Sequence, residues 1–113
     1  MHTLSLTSAI DRTGGLVPLS PYVRQLAYGD DDYIRSVFGT TDVSHYDIAN
    51  YYDNASKTWT TVPGVTEKMR KDMGIWFRET NIRGLDYWFP MGRNKVWFRH
   101  PEDAFAFRLK FGL

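Results

Sequence analysis

The chain has 113 residues, the usual size of one domain, and 16% of them are aromatic, which predicts ample burial and a single domain over residues 1–113. Its formal net charge is only +1, from 14 basic and 13 acidic residues, which predicts no overall attraction to nucleic acid or anionic lipid. The lack of cysteine excludes disulfides and thiolate metal sites, and no apolar run approaches the roughly 20 residues of a membrane span, so a soluble protein that is not exported is expected.

The first 19 residues are predicted to form a strand followed by an extended arm. Leu4, Leu6 and Ile10 alternate with polar or small residues, which is typical of a half-buried strand. The Asp and Gly residues of 11–15 favour a turn after it. The apolar residues 16–19 then lead onward in extended form.

Two short helices are predicted next. Ser20 offers an N-cap and Pro21 a first helical residue, and Gly29 ends the first helix. The three aspartates of residues 30–32 place negative charge at the positive end of a second helix, which Gly39 ends.

A third helix is predicted after a cap at Thr41 or Ser44, without defined ends, and its stripe of aromatic and apolar residues reaches Tyr52. Residues 53–56 break its pattern. Residues 57–62 are rich in Thr, Trp and Val, which favours a short strand or extended crossing.

The longest helix is predicted to begin at Pro63 and Gly64, with Gly64 and Glu67 at the spacing of a capping box, and to end near Asn81. Its apolar residues recur at helical spacing and predict one buried stripe. The stripe consists of Val65, Met69, Met73, Trp76 and Phe77.

Residues 85–90 and 95–100 are predicted to form a β-hairpin joined by a four-residue loop. This loop length sets Trp88 opposite Trp97 and Tyr87 opposite Phe98. One face of the hairpin is then apolar and predicts a core surface made of Leu85, Tyr87, Phe89, Val96 and Phe98.

A terminal helix follows, with His100 as its cap and Pro101 at its first position, and with Lys110 and Gly112 at its end. The fold class is therefore predicted to be α+β. A small antiparallel sheet that includes the C-terminal hairpin packs against the long helix and the terminal helix.

The closing residues 96–112 carry an aromatic strand, the run Pro-Glu-Asp-Ala and the ending Phe-x-Leu-x-Phe-Gly. This segment, about a sixth of the chain, resembles the C-terminal ending of small tailed-bacteriophage proteins of unassigned function. The resemblance implies a viral origin, with the host cytoplasm or the virion as the location. It implies no mechanism.

Motifs of catalysis are missing from the sequence, so an enzyme is not expected. It has no Gly-x-Ser-x-Gly elbow, phosphate-binding glycine loop or dinucleotide fingerprint. The aspartates of residues 30–32 suit a helix start better than a metal site, since adjacent positions of a helix diverge. His2, His45 and His100 lack metal-ligand spacing. We expect neither a cofactor nor a metal.

The hairpin face opposite the core carries the most informative group of residues. It places Trp88 and Trp97 beside three cations, Arg93, Lys95 and Arg99. Three interpretations stay open: burial of this face by the protein itself, a protein-binding surface, or a platform on which bases stack while the cations hold phosphate.

Tyr51 and Tyr52, near Tyr46, form a second aromatic patch on the third helix, with an ordinary amphipathic helix as the alternative. These features favour a non-catalytic, phage-encoded protein-binding module. It would inhibit or modulate a host factor, or serve as a minor assembly component, so its partner would be a host or viral protein. The alternative function is binding of single-stranded nucleic acid.

Overall fold

The computed structural model describes residues 19–113, so the predicted N-terminal strand and most of the arm lie outside the described residues. The fold is α+β, as predicted. Within residues 19–113 no helix is both long and apolar enough to cross a membrane. The helices are α1 (Pro21–Tyr28), α2 (Asp31–Phe38), α3 (His45–Thr58), α4 (Arg70–Glu79) and α5 (Pro101–Phe111), and the strands are β1 (Thr60–Pro63), β2 (Tyr87–Trp88) and β3 (Lys95–Phe98).

The chain divides into two compact units, and the division falls between Asp53 and Asn54, inside α3. Unit 1 is Met1–Asp53, described from residue 19, and unit 2 is Asn54–Leu113. The single domain over residues 1–113 stays a prediction.

The first two helices of unit 1 begin and end at the predicted residues. Ser20 Oγ accepts the Val23 N–H at 3.3 Å, and Asp30 Oδ1 accepts the Tyr33 N–H at 2.8 Å. Gly39 ends α2 in the left-handed conformation, with φ of 77°. Side-chain acceptors at the N-terminal ends therefore define these short helices, as their sequences indicate.

The three adjacent aspartates serve three different purposes. Asp30 caps α2, Asp31 pairs with the buried Arg24 at 2.6 Å, and Asp32 pairs with Arg35 at 3.2 Å on the surface. The Arg24 guanidinium also donates to the Thr41 carbonyl at 2.9 Å. The carboxylates diverge, as expected for a helix start. No group of three possible metal ligands occurs among residues 19–113.

Helix α3 is longer than the sequence predicts, and the predicted break at residues 53–56 is wrong. The helix continues to Thr58, whose hydroxyl donates to the Asn54 carbonyl at 3.1 Å. Ala55, in the middle of the predicted break, is buried. Burial of this small side chain outweighs the poor helix propensity of its Asn and Ser neighbours. The cap is Ser44, since its Oγ accepts the Asp47 N–H.

The sheet of unit 2 is antiparallel, with β3 between β1 and β2. The register pairs Tyr87 with Phe98 and Trp88 with Trp97, which confirms the predicted hairpin pairing. The predicted strands, 85–90 and 95–100, are too long, and Pro90 has no N–H with which to extend β2. The predicted segment 57–62 is also shifted, because its first residues belong to α3.

One face of this sheet and two helices form the core of unit 2. The predicted stripe is buried or half-buried, and α4 and α5 pack on the predicted sheet face. The predicted start of the long helix is wrong: Gly64 turns with φ of 82°, and a 3-10 turn, Glu67–Met69, precedes α4. The buried core comprises Val62, Val65, Met73, Trp76, Phe77, Val96, Phe98, Ala104 and Phe107.

Candidate protein-binding surface

The hairpin brings Trp88 and Trp97 together, as their cross-strand register predicts. Their ring centroids are 4.9 Å apart, and the Arg93 guanidinium lies 5.3 Å from the centre of the Trp97 ring. Trp97 is only 4% exposed, whereas Trp88 is half-buried. Consequently an incoming partner or base cannot stack on Trp97 unless the ring is uncovered first.

The cations predicted beside the tryptophans remain at the surface. Arg93 and Lys95 are exposed, and Arg99 is exposed while its guanidinium pairs with Asp86 at 3.3 Å. His100 Nε2 lies 3.8 Å from the same Asp86 carboxylate. His100 occupies the predicted N-cap position of α5, but its side chain forms no capping hydrogen bond. These side chains give the hairpin a charged edge and no open aromatic platform.

The two tyrosines of the second predicted patch lie in unit 1. Tyr51 packs its ring against Phe38, with centroids 5.2 Å apart, and against Tyr52, with centroids 5.5 Å apart. Both tyrosines are half-buried. They are partly packed within their own unit, and the part that remains accessible is limited.

The largest apolar side chains exposed in unit 2 include two that sequence reasoning missed. Phe105 is 65% exposed and Leu109 is 70% exposed. They stand four residues apart on α5 and so form one stripe along the helix. On the opposite side of the same helix, Phe107 is fully buried. The available signal was that α5 has apolar residues around its whole circumference, more than one buried side can use.

A groove of about 310 Å³ runs between α4 and α5. Four of its lining residues lie at one side of α4, because positions separated by three, four and seven residues share a helix face. The groove combines two carboxylates, a lysine and an apolar wall. It is lined by Asp72, Ile75, Trp76, Glu79 and Lys110.

Charge is segregated between the two units, although the whole chain is near neutral. Unit 2 has eleven basic and six acidic residues, a net charge of +5, whereas unit 1 has three basic and seven acidic residues, a net charge of −4. The near-zero net charge of the whole chain therefore does not represent unit 2, which is basic. An anionic partner would be attracted to unit 2 more strongly than the total charge indicates.

No family model matches the chain, and no curated protein or solved structure matches it either.

Proposed function

We propose that this chain is a non-catalytic protein-binding module, encoded by a bacteriophage, that contacts its partner through the outer side of α5. The observation that carries the proposal is the exposure of Phe105 and Leu109, 65% and 70%, on a helix whose other side already supplies the core. Large apolar side chains at one surface stripe gain free energy when a partner covers them. Aromatic residues are also frequent hot spots of protein interfaces.

The neighbourhood of this stripe suits a protein partner. A polar and charged rim is typical of protein interfaces, and α5 has Glu102 in its first turn and Arg108 and Lys110 in its last. The exposed cations Arg93 and Lys95 belong to the same unit and would add electrostatic attraction to an acidic partner.

The resemblance of residues 96–112 to endings of tailed-phage proteins supports a viral origin, and the same segment contains α5. Two partner classes follow from it: a host factor that the module inhibits or modulates in the host cytoplasm, or a viral protein to which it is joined as a minor assembly component. The proposed contact surface is the same in both cases.

Capture from lysate tests the proposal with a matched control. Immobilised wild-type chain should retain a protein from bacterial or phage-infected lysate, and the double variant Phe105→Ser, Leu109→Ser should lose it. Tyr22 and Leu26 on α1 provide the control, because they have the same i, i+4 spacing and are 73% and 71% exposed. The variant Tyr22→Ser, Leu26→Ser should retain the partner. Equal retention by all three chains would exclude α5 as the contact surface.

A second candidate function, binding of single-stranded nucleic acid, is favoured by the charge of +5 on unit 2. The burial of Trp97 weakens it, since base stacking then depends on the half-buried Trp88. An oligonucleotide titration at two salt concentrations tests this function. Binding that weakens with salt and is lost in Arg93→Gln, Lys95→Gln would replace the protein-binding proposal.

A further inference from the structure

We propose that the groove between α4 and α5 binds an arginine or lysine side chain of the partner segment that lies on the outer side of α5. This inference rests on the proposed function and adds the chemistry of the partner. The partner would present a basic residue next to an apolar one. The charges of the groove, its apolar wall and its position beside Leu109 support this inference.

The groove contains two carboxylates and one lysine. Asp72 and Glu79 stand seven residues apart on α4, roughly two turns, so both project from the same side of the helix. Among residues 19–113 neither forms an ion pair, although Lys110 lines the same groove. The lining residues of the groove have a net charge of −1, within a unit of +5, and the two carboxylates attract a cation.

The wall of the groove suits the rest of a basic side chain. Ile75, which is 38% exposed, and Trp76 form its apolar part, against which the methylene stem of a basic side chain packs. Trp76 is held in place because its ring contacts Phe107 and Phe111, with centroids 5.7 Å and 6.1 Å away. Trp76 is 8% exposed, so only a small part of its ring is accessible in the groove.

The groove and the outer stripe adjoin on the surface of α5. Ala106 is exposed and stands three residues before Leu109 and four before Lys110, so it lies beside both of them on the helix surface. A segment that covers Leu109 therefore reaches the groove across Ala106. An apolar side chain of this segment would cover Leu109, and a basic side chain close to it would enter the groove.

Two peptides that differ only in charge test the inference on the intact chain. The probes are acetyl-Leu-Arg-Leu-amide and the same peptide with citrulline, which has the shape of arginine and no charge. Each is titrated to about 20 mM, because a single side chain binds with millimolar affinity. The readout is the ¹H–¹⁵N signal of the Trp76 indole. The arginine peptide should shift this signal and the citrulline peptide should leave it unchanged.

Charge variants of the groove complete the test. Asp72→Asn with Glu79→Gln should weaken binding of the arginine peptide about fivefold, the effect expected for exposed ion pairs. Asp32→Asn with Asp42→Asn removes two exposed carboxylates of unit 1 and should leave the affinity unchanged. Lys110→Gln should strengthen binding, because it removes the like charge. A groove that accepted an anion would show the opposite response to Lys110→Gln.

The inference is overturned by an absent shift, by equal shifts with the two peptides, or by unchanged affinity of the Asp72, Glu79 variant. These outcomes leave the proposed function standing if Phe105→Ser, Leu109→Ser still abolishes capture of the partner. Conversely, peptide binding that persists while capture never occurs would remove the proposed function and leave the groove as a cation site.

Discussion

The two sides of α5 carry the same residue types, but one side is buried and the other is exposed to solvent. Phe107, on the inner side, is fully buried and packs against the rings of Trp76 and Phe98, with centroids 5.7 Å and 5.2 Å away. Phe105, two residues earlier, is 65% exposed. Residue type alone therefore does not separate a core position from a surface position on a short helix. The separation depends on which side of the helix the sheet covers.

The largest predicted effect is on the inner side. Phe107→Ala removes a fully buried ring that has four aromatic neighbours and should lower the free energy of unfolding by about 3–5 kcal/mol. Urea denaturation followed by tryptophan fluorescence measures it. A loss below about 1 kcal/mol would show that the inner side of α5 is not part of the core.

The contrast between buried and exposed partners extends to ion pairs on α2. Asp31→Ala leaves the guanidinium of Arg24, whose side chain is 7% exposed, without its carboxylate and should cost about 1–3 kcal/mol. Asp32→Ala removes the exposed pair with Arg35 and should cost less than about 0.5 kcal/mol. Both aspartates occupy the first turn of α2, so the change in helix-dipole interaction is matched. Equal losses measured by urea denaturation would contradict the difference in burial.

A smaller effect on stability is expected at high pH from Tyr87, whose ring packs against the core of unit 2. Tyr87 stacks on Phe77 with centroids 4.0 Å apart, and burial raises the pKa of its phenol above 10.0, against a smaller lowering by Arg70. The folded-state pKa lies above the unfolded-state value, so the contribution to stability is present below pH 10 and is lost as the pH rises through the folded-state pKa.

The Tm of Tyr87→Phe should therefore fall less than that of wild type between pH 9 and about 12. At pH 7 the two proteins should have similar Tm values. Tyr46→Phe, at a residue that is 51% exposed, is the control. Parallel Tm curves for wild type and Tyr87→Phe across this range would argue against burial of the phenol as the cause.

The smallest effect on stability is predicted for the outer side of α5. Phe105→Ala should change the free energy of unfolding by no more than about 0.5 kcal/mol, because the ring is largely in water and alanine favours the helix. The same substitution should reduce capture of the partner. A loss of several kcal/mol would mean that Phe105 belongs to the core and that the proposed contact surface is wrong.

Local signals predicted the ends of several helices correctly. Ser20, Asp30 and Gly39 act through hydrogen bonds or backbone conformations within three or four residues, and these do not depend on distant parts of the chain. The hairpin register was predictable for the same reason, since the loop length fixes which residues face each other.

Predictions that depended on distant packing were incomplete. The continuation of α3 through Ala55 required burial that residues 53–56 do not indicate. The start of α4 was misplaced because Gly64 follows β1 with a positive φ, and β1 pairs with a strand more than 30 residues later in the chain. The same distinction applies to the site residues. The pairing of Trp88 with Trp97 could be predicted from the strand register, whereas the burial of Trp97 could not.

The sequence by itself determined the α+β class, the cross-strand partners and most helix boundaries, because period, capping and turn chemistry act over a few residues. Tertiary structure alone decided which side of α5 faces the sheet, and hence that Phe107 is buried while Phe105 and Leu109 face solvent. A helix with apolar residues on every side has no preferred orientation of its own. The sheet and α4 cover one side, and the other side faces solvent.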